Sequence, residues 1–147
     1  MIVNNKVVIV KKLASEHQQE PFTQFLPLSE EMVADIKRAV AEIFDELGGP
    51  SLLKSSGDVY LKPNVVGGLA YSYTRPEVVE AVINYWREKG ARQIYVFENS
   101  TRASLTRLVF EMAGYNSLCK RTGAIPVYLD EEDTVPFRYT IPSEGLV

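Results

Sequence analysis

A chain of 147 residues, 46% of them hydrophobic and 24% charged, is sized for one globular domain over residues 1–147 with a core of its own. The net charge of −3 and the pI near 5.3 exclude a general nucleic-acid binder, which carries a basic surface. No apolar run approaches the roughly 20 residues that span a bilayer. The opening Met1–Lys6 also lacks the layout of a secretion signal, so no membrane partner is expected and the expected compartment is the cytoplasm.

In chain order, Lys6-Val7-Val8-Ile9-Val10-Lys11 is a continuous β-branched run that predicts a strand buried on both faces. Residues 13–28, with Pro21 and Pro27, read as a long irregular segment. Ser29 predicts an N-cap, with Glu30 and Glu31 favouring the dipole of the helix that follows. Val33, Ile36, Val40, Ile43, Phe44 and Leu47 recur at helical spacing until Gly48-Gly49-Pro50 stops them. Asp58–Leu61 is the second strand. Thr74 and Glu77 match a capping box for a helix whose apolar face is Val78, Val79, Val82, Ile83 and Trp86, and Gly90 ends it.

Gln93–Glu98 is the third strand. A helix starting near Ser104 is expected to bury Leu105, Leu108, Val109 and Met112 and to end at Gly114. A short helix around Cys119 leads through Gly123 to a fourth strand at 125–129, where Pro126 marks an edge position. Residues 137–141 suit one more short strand. This order predicts an α/β fold: a three-layer α/β/α sandwich, Rossmann-like, with a mostly parallel sheet and right-handed crossovers. Pro142–Val147 carries no terminating signal, so the chain reads either as the amino-terminal part of a longer domain or as a naturally short protein.

Chemistry concentrates where the second and third strands end. In an open α/β sheet, ligands bind outside the carboxyl ends of the strands. The second strand runs into Lys62-Pro63-Asn64, where proline halts the ladder and the lysine can reach a cleft instead of the core. Gly67 and Gly68 permit close backbone approach to a ligand, and Thr74 with Arg75 opens a helix whose free N–H groups attract anions. Arg75 suits bidentate capture of a carboxylate or phosphate. The third strand ends in Glu98, followed by Ser100, Thr101 and Arg102, which fits general-base duty and the positioning of a polar group. The same residues fit ordinary turns and caps. Neither a P-loop nor a dinucleotide fingerprint occurs, so no cofactor is named by motif.

The single cysteine, Cys119, excludes an internal disulfide and a cysteine-rich metal or iron–sulfur motif, and reads as a small packed residue. The single histidine, His17, sits in a polar run and reads as a solvated loop residue, so neither a Ser-His-Asp triad nor a multi-histidine metal site is expected. Asp130-Glu131-Glu132-Asp133 reads as a solvated turn; a metal-dependent hydrolase would instead need an ion at Glu98 with help from Asp130 or His17.

Leu61-Lys62-Pro63-Asn64, Thr74–Val82, Lys89-Gly90-Ala91, Val96–Ser100, Phe110–Tyr115 and Arg121–Ala124 together resemble the uncharacterised family known as domain of unknown function 362. The resemblance covers about Asp58 to Asp130. It implies a bacterial or archaeal α/β protein, sometimes fused to ferredoxin-type iron–sulfur modules, and a domain that continues past Val147. A redox setting with an iron–sulfur protein partner is therefore an expectation from the resemblance alone. The functional expectation is a cleft for a small anion or metabolite, with Lys62 and Glu98 as candidate catalytic residues and Asn64, Gly67, Gly68, Thr74, Arg75, Ser100, Thr101 and Arg102 as candidate binding residues. If the chain is part of an enzyme, the expected chemistry is acid–base or redox chemistry on a small carboxylated or phosphorylated metabolite. The alternative is a non-catalytic module that docks on an iron–sulfur partner through apolar residues such as Leu69, Tyr71 and Tyr73.

Overall fold

Three short strands pair side by side in parallel: β1 (Asp58–Leu61), β2 (Gln93–Glu98) and β3 (Ile125–Tyr128), in that spatial order. The computed structural model describes residues 27–53, 57–67, 73–100 and 105–136. The strands expected at 6–11 and 137–141 lie outside them. The register sets Tyr60 beside Tyr95 and Leu61 beside Val96, then Val96 beside Pro126 and Glu98 beside Tyr128. Parallel neighbours need crossover connections, and the helices supply them. Helix α1 (Glu30–Leu47) precedes the sheet, α2 (Pro76–Glu88) joins β1 to β2, and α3 (Thr106–Met112) with α4 (Tyr115–Thr122) joins β2 to β3. The chain is thus a small Rossmann-like α/β domain, as its pattern predicted. Among the described residues β3 is an edge strand, the position in which Pro126 removes no ladder hydrogen bond that the sheet needs.

Helix α1 follows its sequence signals closely. The Ser29 hydroxyl accepts the Met32 N–H at 3.2 Å, and Gly48 closes the helix with φ of 118°, a left-handed turn that glycine adopts without steric penalty. Its apolar stripe lies on α2. Phe44 stacks on Tyr85 at 5.1 Å between ring centroids and meets Trp86 edge-on at 5.0 Å. The Tyr85 hydroxyl donates to the Asp45 carboxylate at 2.6 Å. Burial, and then that carboxylate, push the phenol up to about 12.

Two expectations are corrected. Thr74 and Glu77 do not form a capping box, because each side chain is committed elsewhere. Pro76 occupies the first turn of α2, Arg75 is its N-cap residue without a side-chain cap, and Glu77 pairs with Arg75. Helix α3 is also rotated from its expected phase. Thr106, Val109, Phe110 and Ala113 are buried, whereas Leu105, Leu108 and Met112 are 67%, 55% and 64% exposed. Both sets follow the i, i+3, i+7 spacing, so periodicity alone does not choose between them. Phe110 decides for the first by packing within 5.2 Å of the Tyr115 ring and 5.4 Å of Tyr128. Thr106 holds the same phase through polar contacts described below.

Candidate functional site

Glu98 ends the central strand and is only 4% exposed. A buried carboxylate is costly unless it is paired and hydrogen-bonded, and Glu98 has both kinds of partner. Its Oε2 accepts from Lys62 Nζ at 2.8 Å, and its Oε1 accepts the Asn99 N–H at 2.8 Å. Lys62 comes from the end of the neighbouring strand. Its side chain is 56% exposed, so the pair has one buried and one water-facing member. The buried Pro63 halts β1 where the lysine must leave it. The two candidate catalytic residues thus meet although 36 positions separate them in sequence.

Around this pair the strand-end loops are tied to one another. The Asn64 N–H donates to Thr74 Oγ1 at 3.2 Å, and the Thr74 N–H donates back to the Asn64 carbonyl at 2.7 Å. Val65 and Tyr73 form an isolated antiparallel bridge that closes the glycine-bearing loop between them. Ser100, fully packed, donates its hydroxyl to the Val65 carbonyl at 2.6 Å, which joins the β2 loop to the β1 loop. The Ser100 N–H donates to Thr106 Oγ1 at 3.0 Å, and the Thr106 N–H donates to Asp130 Oδ2 at 3.0 Å. Three successive strand ends are therefore linked by one chain of hydrogen bonds, and such a network rigidifies a site when its members are satisfied. The bond from the Thr106 backbone holds the Asp130 carboxyl below the usual carboxylate range.

The remaining expected residues fall into three groups. Arg75 makes a bidentate pair with Glu77, at 3.1 and 2.9 Å, which holds the Glu77 carboxyl below its ordinary value. Gly67 is half-buried in the closed loop. Gly68, Thr101 and Arg102, together with Leu69, Tyr71 and His17, lie outside the described residues. Tyr73 is half-buried by its bridge to Val65.

Sequence reasoning missed three supports of the site. Thr106 was hidden in an apolar stretch. Asp130 reads in the sequence as part of a solvated turn or as a metal ligand, although an acid two residues past a parallel strand is well placed to cap a neighbouring helix. Tyr115 has no assigned role in the sequence reading, yet its ring is fully buried, its hydroxyl donates to the Thr74 carbonyl at 2.7 Å, and burial pushes its phenol up.

Beside Lys62 an open cavity of about 240 Å³ lies between the end of β1 and the first turns of α2. Leu61, Val78, Val79 and Val82 supply its apolar wall, and Lys62 and Thr74 its polar members. Among the described residues no group of three or more His, Cys, Asp or Glu side chains is arranged for a metal ion. Cys119 is buried in α4, where burial pushes its thiol up to about 11. One cysteine does not fit an iron–sulfur cluster, which takes four thiolate ligands or their equivalents. Among the described residues no helix is long and apolar enough to cross a membrane.

No curated protein and no solved structure matches the chain. A family model described as domain of unknown function, DUF362, matches residues 59–145, from within β1 onward, and so takes in Lys62, Glu98 and every element that ties their loops together. With more than half its length covered by that model, the chain belongs to the DUF362 family.

Proposed function

We propose that the carboxyl edge of the sheet is a binding cleft for a small anionic metabolite, with Lys62 as the anion-holding cation and Glu98 as its acid–base partner. One observation carries this reading. A buried carboxylate at the end of the central strand, 4% exposed, is held 2.8 Å from an ammonium that still faces water. An ion pair serving stability alone gains little in this position, because its exposed half is screened while its buried half bears the desolvation penalty. A metabolite whose anionic group sits beside Lys62 would bring its own C–H or O–H proton toward Glu98, which would take that proton as general base and return it as general acid. Acid–base chemistry on a small carboxylated or phosphorylated metabolite follows from this arrangement.

A thermal-shift screen against carboxylates, phosphates, nucleotides and divalent metals tests the reading. A ligand at about 100 times its Kd adds roughly 2.7 kcal/mol to the stability of the folded chain. For a domain of this size that raises Tm by roughly 5–10 °C. A shift for one anion class that disappears in folded Lys62→Met supports the cleft. No shift from any anion defeats it.

A second reading, a non-catalytic docking module, is favoured by the exposed stripe of Leu105, Leu108 and Met112 on α3. This stripe is distinct from the residues 69–73 where sequence placed such a surface. The iron–sulfur partner expected with that reading rests on family resemblance alone.

A further inference from the structure

The cavity beside Lys62 carries more than a preference for negative charge. Its wall of Leu61, Val78, Val79 and Val82 is aliphatic, and the β-branched valines are stiff at χ1, so the surface is preformed. Tyr60 also lines the cavity. A volume of about 240 Å³ is below the range of drug-sized pockets, and it corresponds to about eight water-sized volumes. Lys62, Thr74 and the Tyr60 hydroxyl are its polar members. An ammonium has three donors, and Lys62 spends one on Glu98, which leaves two for an incoming anion. The Thr74 hydroxyl accepts from Asn64 and has its own proton to donate.

Charge selects further. Lys62 and Glu98 already neutralise each other, so a dianion such as phosphate would bring a second uncompensated charge next to Glu98, whereas a monoanion brings the least. We propose that this cavity seats the hydrocarbon body of a short aliphatic monocarboxylate, about four to six carbons long, whose head group meets the Lys62 ammonium. The proposal rests on the anion-binding reading of the same cleft and adds the class of ligand.

Titration of the full chain with acetate, butanoate, hexanoate, hexan-1-ol and inorganic phosphate, followed by NMR, tests it. Each added methylene should tighten carboxylate binding about fourfold while it is buried in the cavity. Hexanol and phosphate should bind more weakly than hexanoate. Lys62→Met should remove the advantage of hexanoate over hexanol. Val82→Asn should flatten the dependence of affinity on chain length. Tyr60→Ser alters the lining at a side chain that is 64% exposed and stacked on Tyr95, so it gives the same readout from a second position, with circular dichroism checking that the fold is kept. Equal affinities for acetate and hexanoate, tighter binding of phosphate, or a chain-length dependence untouched by both wall variants would overturn the aliphatic assignment and leave the anion cleft standing. Absence of binding by every anion would remove the underlying reading as well.

Discussion

The Lys62–Glu98 pair is lopsided, and its two halves should respond unequally to removal. Lys62→Met leaves a carboxylate that is 4% exposed with the Asn99 N–H as its remaining partner. Removing one member of a fully buried pair costs about 3–5 kcal/mol. Here the lysine end is 56% exposed, so water partly replaces it, and a cost of about 2 kcal/mol is expected. Glu98→Met instead fills the buried space with apolar atoms and leaves an ammonium that rehydrates, at a cost of about 1 kcal/mol or less. The double variant should resemble Glu98→Met alone, so the two changes are coupled by the Lys62→Met cost, about 2 kcal/mol. Trp86, the single tryptophan, is packed against Phe44 and Tyr85 and reports unfolding by fluorescence. In urea, with a slope of about 2 kcal/mol per molar, Lys62→Met should lower the midpoint by about 1 M. If Glu98→Met proved the costlier change, or if the two costs simply added, the reading of a buried anion held by an exposed cation would be refuted.

Three further outcomes are expected. Asp130→Ala removes the acceptor at the start of α3 and should cost about 1 kcal/mol at pH 7, with Asp130→Asn costing less. Because the folded carboxyl is held below its ordinary value of 3.8, this contribution is present above pH ~4 and fades as pH falls through the native pKa; denaturant titrations at pH 7 and pH 3 check it. Phe110→Ala should destabilise by about 3–5 kcal/mol, whereas Leu108→Ser should stay within about 0.5 kcal/mol; the reverse order in urea melts would restore the helix phase read from sequence. Cys119, with its thiol at about 11, should resist alkylation at pH 8 in the native chain and react once urea unfolds it; rapid native labelling would contradict its burial.

The parallel sheet was legible because its signals are local and agree. Val59, Leu61, Ile94 and Val96 sit in short apolar runs, each bounded by a turn. Ser29 and Gly48 mark the ends of α1 by side-chain and backbone chemistry that needs no tertiary context. The phase of α3 was not legible, since Leu105, Leu108 and Met112 offer more apolar surface than Thr106, Val109 and Ala113. What overrides that preference is long-range: the aromatic contacts of Phe110 and the bonds from Thr106 to Ser100 and Asp130. The candidate site divides in the same way. Lys62 and Glu98 stand out as polar residues at strand ends, but their contact depends on β1 and β2 being neighbours. Thr74 looks like a helix cap in sequence, and only the fold reveals that its hydroxyl serves Asn64.

Lys62 is proposed to receive an anion at the carboxyl edge of the sheet. Amide and side-chain NMR of the chain, titrated with short carboxylates, tests it most directly. The account expects saturable shifts centred on Lys62, Asn64, Thr74 and Asn99, lost in Lys62→Met while the rest of the spectrum keeps its folded dispersion. Shifts scattered over the surface, or the same shifts in Lys62→Met, would contradict it.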